Sequence, residues 1–462
     1  MSEGPSTQER KTLLKPGDED AILFEPLQRI GWRFLAVAAI LLLIIIFGVL
    51  AYSRQVTQGL GITGLNYPVY WGMYIINTIF FIAISYGGTL TSAILRIFGV
   101  RWRTPITRAA EVMTACTLSV GAVNIVLDMG RPDRVLHLIL YGRYQSPILW
   151  DFYAISLYMV CSLLYLYLPL IPDMAELKER FPRRRWFYGP LSLRWTGTPQ
   201  QKKRLERIID IMALAMVPIA VMVHTVLSYL LSLTTQPMWH STLMGPYFVM
   251  GAIYSGMAGL LIVMALLRRF LHLERYLKPK HFNYMGLMIL GMTAVWLYFT
   301  FSEYITTYYG QEPSHMEVFY AKFLGEFAPY FWTQVGLCLV VPVLLLSWRR
   351  TRTIVGTVVA SGLILVGMWL ERFLIIIPTL TRPRLPADLP FTTGTYRPTS
   401  AEWAIMAASA AAIALLYLIF IKLFPIVPVW EIRQEREQED ARFEQPPEPV
   451  NDAASSSPLL AG

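Results

Sequence analysis

The chain has 462 residues, of which 55% are hydrophobic and 15% charged, against roughly 25% charged in soluble domains. A chain this apolar cannot close around one water-soluble core, which excludes a soluble multidomain protein. Its 40 Lys and Arg against 31 Asp and Glu leave a net charge of +9. With no nucleic-acid motif beside it, that excess reports orientation and contact with anionic lipid, not DNA or RNA.

Residues 1–32 open on a polar, charged stretch without an apolar core or a small-residue cleavage site. They read as a cytoplasmic segment and not as a cleaved leader. Ten apolar segments then reach the ~20 residues that a membrane-crossing helix needs: 33–52, 69–98, 107–127, 147–170, 208–233, 244–267, 284–306, 327–347, 354–377 and 401–424. Arg and Lys crowd the loops after the second, fourth, sixth and eighth segments, from Arg101 and Arg103 to Arg349 and Arg350. The positive-inside rule places those loops and both termini in the cytoplasm. The fold class is therefore an all-α integral membrane protein, with a ten-helix domain over 33–430. The charged tail over 431–462, rich in Pro, Ser and Ala, reads as disordered and cytoplasmic.

The chain offers no redox metal site of its own. Cys116, Cys161 and Cys338 lie far apart in apolar stretches, with no CxxC or CxxCH run; an iron–sulfur cluster or a c-type haem is not expected. Of the six histidines only His224 sits well inside a segment. An embedded haem b would need paired axial imidazoles, so none is expected, and no metal ligand set is called.

Ionisable groups inside a membrane are costly and become functional candidates by default. Here they favour the outer leaflet: Asp128 ends the third segment, Asp151 begins the fourth, Glu303 and Glu371 come late in the seventh and ninth, and His224 lies in the outer half of the fifth. The densest group is Asp128-Met-Gly-Arg-Pro-Asp-Arg134 followed by Ser146-Pro-Ile-Leu-Trp-Asp151. Gly130 and Pro132 break the helix at the membrane surface. Arg131 can pair with Asp128 or a neighbouring carboxylate, and Ser146-Pro147 reads as an N-cap and first helical position. Two carboxylates flanking one loop suit a bound hydroxylated ring; a helix cap with a salt bridge is the plainer alternative.

The halves echo each other. Tyr67-Pro-Val-Tyr-Trp-Gly72 resembles Gly245-Pro-Tyr-Phe-Val-Met-Gly251, and Tyr86-Gly-Gly88 resembles Tyr254-Ser-Gly256. This suggests two parallel four-helix bundles, about 67–235 and 242–378, with the first and last helices outside them.

Leu127-Asp-Met-Gly-Arg-Pro132 with Ser146-Pro147 resembles the NrfD-like, polysulfide-reductase-type membrane subunits. Arg108-Ala-Ala-Glu111, the run Ser146–Ser156, Leu170-Ile-Pro-Asp173, Met238-Trp-His-Ser-Thr242 and Trp369-Leu-Glu-Arg-Phe373 are similar to ActC, the quinol-oxidising subunit of alternative complex III. The resemblance implies a multi-pass subunit of the bacterial inner membrane that oxidises quinol, menaquinol foremost, near the outer face. It implies Asp128, Asp151 and His137 as proton acceptors and Arg131, Trp150, Tyr86 and His240 as quinol-binding residues. The implied partners are a periplasmic-side iron–sulfur and molybdopterin-like subunit, a multihaem cytochrome c and a second homologous membrane subunit. A quinone-reducing anchor of a polysulfide- or DMSO-reductase-type complex, and a secondary transporter, remain as alternatives. A proton route would run through Asp210, His224, Glu303 and Glu371. Asp210 and His224 are about 21 Å apart along one helix, a gap that predicts poor conduction unless other helices fill it.

Overall fold

The computed structural model describes residues 23–28, 30–384 and 394–434. Every regular element among these residues is helical, and ten helices are long and apolar enough to cross a membrane. They are α1 (Trp32–Gln58), α2 (Met73–Ile97), α3 (Thr104–Asp128), α4 (Pro147–Tyr167), α5 (Pro199–Ser232), α6 (Met244–Phe270), α7 (Pro279–Gly310), α8 (Ala328–Leu346), α9 (Ile354–Thr381) and α10 (Ser400–Leu423). All ten expected segments are found, but several helices outrun them. Thr198 caps α5 by accepting the Gln201 amide, with Pro199 at the first position, so the helix starts nine residues before its apolar stretch. Hydropathy marks only the part of a helix inside hydrocarbon, whereas caps mark where it begins. α8 is continuous only through a π-helical stretch at Gly336–Val340.

Helices α2 to α5 pack side by side, as do α6 to α9, while α1 pairs with α10, which leans on α3. Only 6% of the most apolar stretch of α1 is buried within the chain. The two groups meet along α2 and α6. A Cβ built on Gly87 would lie 2.4 Å from the Cα of Gly256, so the helices cross backbone to backbone, as small residues permit in membranes.

Consecutive helices alternate in direction, which sorts the polar contacts onto two faces. One carries the starts of α1, α3, α5, α7 and α9 and is called the near face. There Arg108 forms a fully buried ion pair with Asp173, in the short helix Leu170–Arg180. Arg108 also donates to the Pro169 and Pro425 carbonyls, at 2.9 and 3.2 Å. Glu431 is buried against Arg96 and Arg103, at 3.5 Å from each. Residue 431 was the expected start of the tail; instead the chain is still helical through residue 434, because these arginines hold it. The rest of the expected disordered tail, and residues 1–22, lie outside the described residues. The opposite, far face gathers Gln55, Tyr74, Asp128, Glu303 and Glu402.

Candidate functional site

On the far face α3 ends at Asp128, and Met129 turns extended. Asp128 lies in electrostatic range of Glu402 and Tyr74. Its Oδ1 is buried and accepts no hydrogen bond. Around it the shell is well tied. Tyr74 donates to Gln55 at 2.6 Å, and Gln55 donates to the Leu127 carbonyl at 2.9 Å. Glu402, fully buried, accepts from Tyr396 at 2.6 Å and from the Gly64 and Thr399 amides at 2.8 Å each. Asp151 occupies the second turn of α4, buried, and its Oδ1 also lacks a donor. These two carboxylate oxygens are acceptors sequestered from water without a partner, a costly state that a hydroxyl donor would relieve.

The nearby expectations fare unevenly. Arg131 pairs with Asp133 through two bonds of 3.1 Å and is largely exposed; of the two pairings open to it, the structure takes the neighbouring carboxylate and leaves Asp128 alone. Two residues apart on an exposed turn, that pair closes locally. Ser146 makes no side-chain cap, although Pro147 is the first residue of α4 as expected. His137 is exposed, its ring edge-on to Tyr141 at 5.2 Å. Trp150 is partly exposed and donates to the Tyr144 carbonyl at 2.5 Å. Tyr141, Tyr144 and Tyr153 are exposed too, so the loop and first turns of α4 form an aromatic fringe around the buried Asp151.

Tyr86 does not belong to that fringe. It lies thirteen residues into α2 from Met73, about 20 Å below the far end. There its ring meets His224 at a centroid distance of 4.2 Å. Tyr86 Oη and both His224 nitrogens are buried without hydrogen-bond partners. Next comes Arg372, fully buried over the Phe248 ring at 4.9 Å. Its Nη1 lies 3.0 Å from Glu371 Oε2, but without hydrogen-bond alignment. Glu371 Oε1 accepts from Tyr247 and Trp296, both at 2.6 Å.

Glu371 lines a cavity of about 30 Å³ with Glu303, Tyr304, Lys322 and Gln334. A water needs ~10–15 Å³ of such space, so the cavity suits water and not a quinone ring. Ser241 donates to Glu303 at 2.7 Å. Lys322, in the short helix Pro313–Phe323, is buried, and desolvation lowers its pKa to about 8 against the opposing pull of Glu303. His240 sits outside this cavity, its ring 4.8 Å from that of His315.

Below His224 the structure supplies groups that a survey of charges alone passes over. Ser85, Thr89 and Ser92 form a stripe on α2; Tyr158, Ser162 and Tyr165 repeat the spacing on α4, and Thr107, Glu111 and Thr114 on α3. Spacings of four and three residues put each set on one helix face. The stripes meet. Tyr158 donates to Thr89 at 3.0 Å, Thr89 to Thr114 at 3.1 Å, and Ser92 to Glu111 at 2.8 Å with Tyr165 3.4 Å away. Asp210, the expected lower end of the route, is exposed and holds Arg96 at 2.8 Å. Sequence reasoning does not pick out Glu111, Glu402, Lys322 or Arg372 as functional candidates. The capping pattern Thr399-Ser-Ala-Glu402 was the available signal for Glu402.

Residues 61–384 match the family described as polysulphide reductase, NrfD. Among curated proteins, the chain is 26% identical over 396 residues to a dimethyl sulfoxide reductase membrane subunit of Halobacterium salinarum, covering 81% of this chain and 86% of the relative. It is 23% identical to a selenate reductase subunit of Mesobacillus selenatarsenatis, covering 79% and 88%. It is 24% identical to an Hdr-like menaquinol oxidoreductase integral membrane subunit of Archaeoglobus fulgidus, covering 78% and 82%.

Proposed function

This chain belongs to the polysulphide reductase NrfD family, and from that premise we propose that it is the quinol-oxidising membrane subunit of an electron-transfer complex. The far face is then the outer face, as the arginine-rich near-face loops favour. The quinol ring enters from lipid across the aromatic fringe of Tyr141, Tyr144, Trp150 and Tyr153. Its hydroxyls donate to the unpartnered oxygens of Asp151 and Asp128. As two electrons leave for an iron–sulfur protein on the outer face, the two carboxylates take the two protons and quinone departs. The tied shell of Gln55, Tyr74 and Glu402 keeps Asp128 in place.

The observation that carries this reading is the buried, donor-free carboxylate oxygen of Asp151 between the exposed Trp150 and Tyr153, with a second such oxygen on Asp128 at the same face. The alternative-complex-III type of subunit, fed by menaquinol and accompanied by a multihaem cytochrome c and a second membrane subunit, is the version we favour, on the run Ser146–Ser156. The second reading is the same site run in reverse, as a quinone-reducing anchor; the names of the Halobacterium and Mesobacillus relatives favour it.

Asp151→Asn tests the shared core of both. The amide keeps the shape but takes no proton, so turnover in purified, assembled complex is expected to fall about 10²–10⁴-fold. Near wild-type turnover would make Asp151 a structural residue and overturn the proposal.

A further inference from the structure

We propose that His240, His315 and Glu312 form a binding site for one transition-metal dication of the Zn²⁺ type, on the far face beside the Glu303 cavity. The donor atoms of the three side chains all lie within 4.8 Å of one another, and His315 Nε2 is 3.7 Å from Glu312 Oε2. A tetrahedral ion with bonds of about 2.0–2.2 Å needs its ligand atoms about 3.4 Å apart. The carboxylate and His315 are therefore already at that spacing, and the exposed His240 has only to swing inward. Two imidazoles and one carboxylate suit Zn²⁺ and its neighbours; Ca²⁺ and Mg²⁺ prefer all-oxygen shells.

Two further observations point to a ligand. His315 Nε2 is buried and makes no hydrogen bond; at 3.7 Å Glu312 is too far to serve as its acceptor. The second is how the donors are held. Ser314 and Arg384 both reach Glu312 Oε1, at 3.1 Å each. That leaves Oε2 facing His315, the outer support that orients ligating carboxylates. His240 follows Trp239, whose indole donates to the Ile375 carbonyl at 2.8 Å, and precedes Ser241, fixed on Glu303. An ion here would tie the α5–α6 loop to the segment between α7 and α8.

The probe is the metal alone. Full-length protein in its complex, stripped with chelator, is titrated with Zn²⁺ against a chromophoric competitor and separately with Co²⁺. One ion per chain is expected, with Co²⁺ giving the visible bands of a low-symmetry nitrogen–oxygen site. His315→Ala and Glu312→Gln should each weaken binding by more than about tenfold, the lower end of what losing even an outer-sphere partner brings. His272→Ala, on the near face, should change nothing. Stoichiometry and affinity unchanged in both site variants, or lost in the His272 control, would overturn the site; so would binding weaker than about 1 mM. Binding is read without turnover, so this inference and the proposed quinol reaction fail separately.

Discussion

Gly87 and Gly256 hold α2 and α6 at backbone contact: a Cβ on either glycine would lie 2.4 or 2.3 Å from the other's Cα. The two residues fall in the small-residue patches Tyr86-Gly-Gly88 and Tyr254-Ser-Gly256, so these patches form the contact between α2 and α6. Backbone cannot yield as a side-chain tip can. Gly256→Ala is expected to cost at least the ~1–3 kcal/mol of ordinary overpacking, and Gly256→Leu to abolish assembly. The yield and thermal midpoint of the purified chain check this. A Gly256→Leu protein of normal yield would show that the helices do not cross there.

A second prediction concerns the buried Arg108–Asp173 pair. Each side chain is only 1% exposed, and Arg108 holds three backbone carbonyls besides. Removing one partner leaves an uncompensated buried charge, which costs about 3–5 kcal/mol. Arg108→Met or Asp173→Leu alone is expected to destabilise by that order, and the double variant by less than the sum. Chemical denaturation of all four proteins reads the coupling; strict additivity would show that the pair contributes nothing jointly.

Lys322 gives a pH signature. Burial lowers its pKa from the ordinary 10.5 to about 8. Between these values the unfolded chain binds a proton that the folded chain has released, so stability rises with pH across about pH 8–10.5 and the cost of charging Lys322 is fully present below it. The thermal midpoint of the wild type is expected to climb more steeply over this window than that of Lys322→Met. Parallel curves would place a charged, solvated Lys322 in the folded protein.

The ten helices and their alternation were legible because a hydrocarbon core demands long apolar runs. Asp128 and Asp151 stood out because carboxylates are rare in such runs. The rest depended on contacts no single segment announces. Glu402 reads as a cap residue, and only the fold brings it beside Asp128 from more than 270 residues away. Lys322 and Arg372 carry no signal of their own in the sequence; burial, with Lys322 in electrostatic range of Glu303 and Arg372 over the Phe248 ring, is what marks them. His240 and His315 lie in different connections between spans, so no ligand spacing could tie them. The hydroxyl stripes on α2, α3 and α4 were visible at four- and three-residue spacing, but neutral hydroxyls are common in membrane helices and only their meeting is informative.

Those stripes alter the expectation for proton movement. The interval of about 21 Å between Asp210 and His224 along α5 is too long for one hop, and poor conduction would follow if α5 stood alone. It does not. From the near-face cluster of Arg96 and Glu431, the line runs to Glu111, Ser92 and Tyr165, then to Thr89, Thr114 and Tyr158, then to Tyr86 and His224, and on through Arg372 and Glu371 to the Glu303 cavity. On α2, Ser85, Thr89 and Ser92 stand about 4.5–6 Å apart along the helix axis, a distance that one water can bridge. Beyond Glu431, which Arg96 and Arg103 hold, Glu111 is the first acid along this line. Reconstituted complex turning over quinol, with a pH dye trapped on the near side, is therefore expected to show uncoupler-sensitive alkalinisation there. Glu111→Gln should remove that uptake while quinol oxidation at the far face continues, because the substitution leaves Asp151 and Asp128 untouched. Wild-type vesicles that oxidise quinol without near-side uptake would show that protons leave only from the quinol itself. Uptake that persists in Glu111→Gln would move the entrance elsewhere.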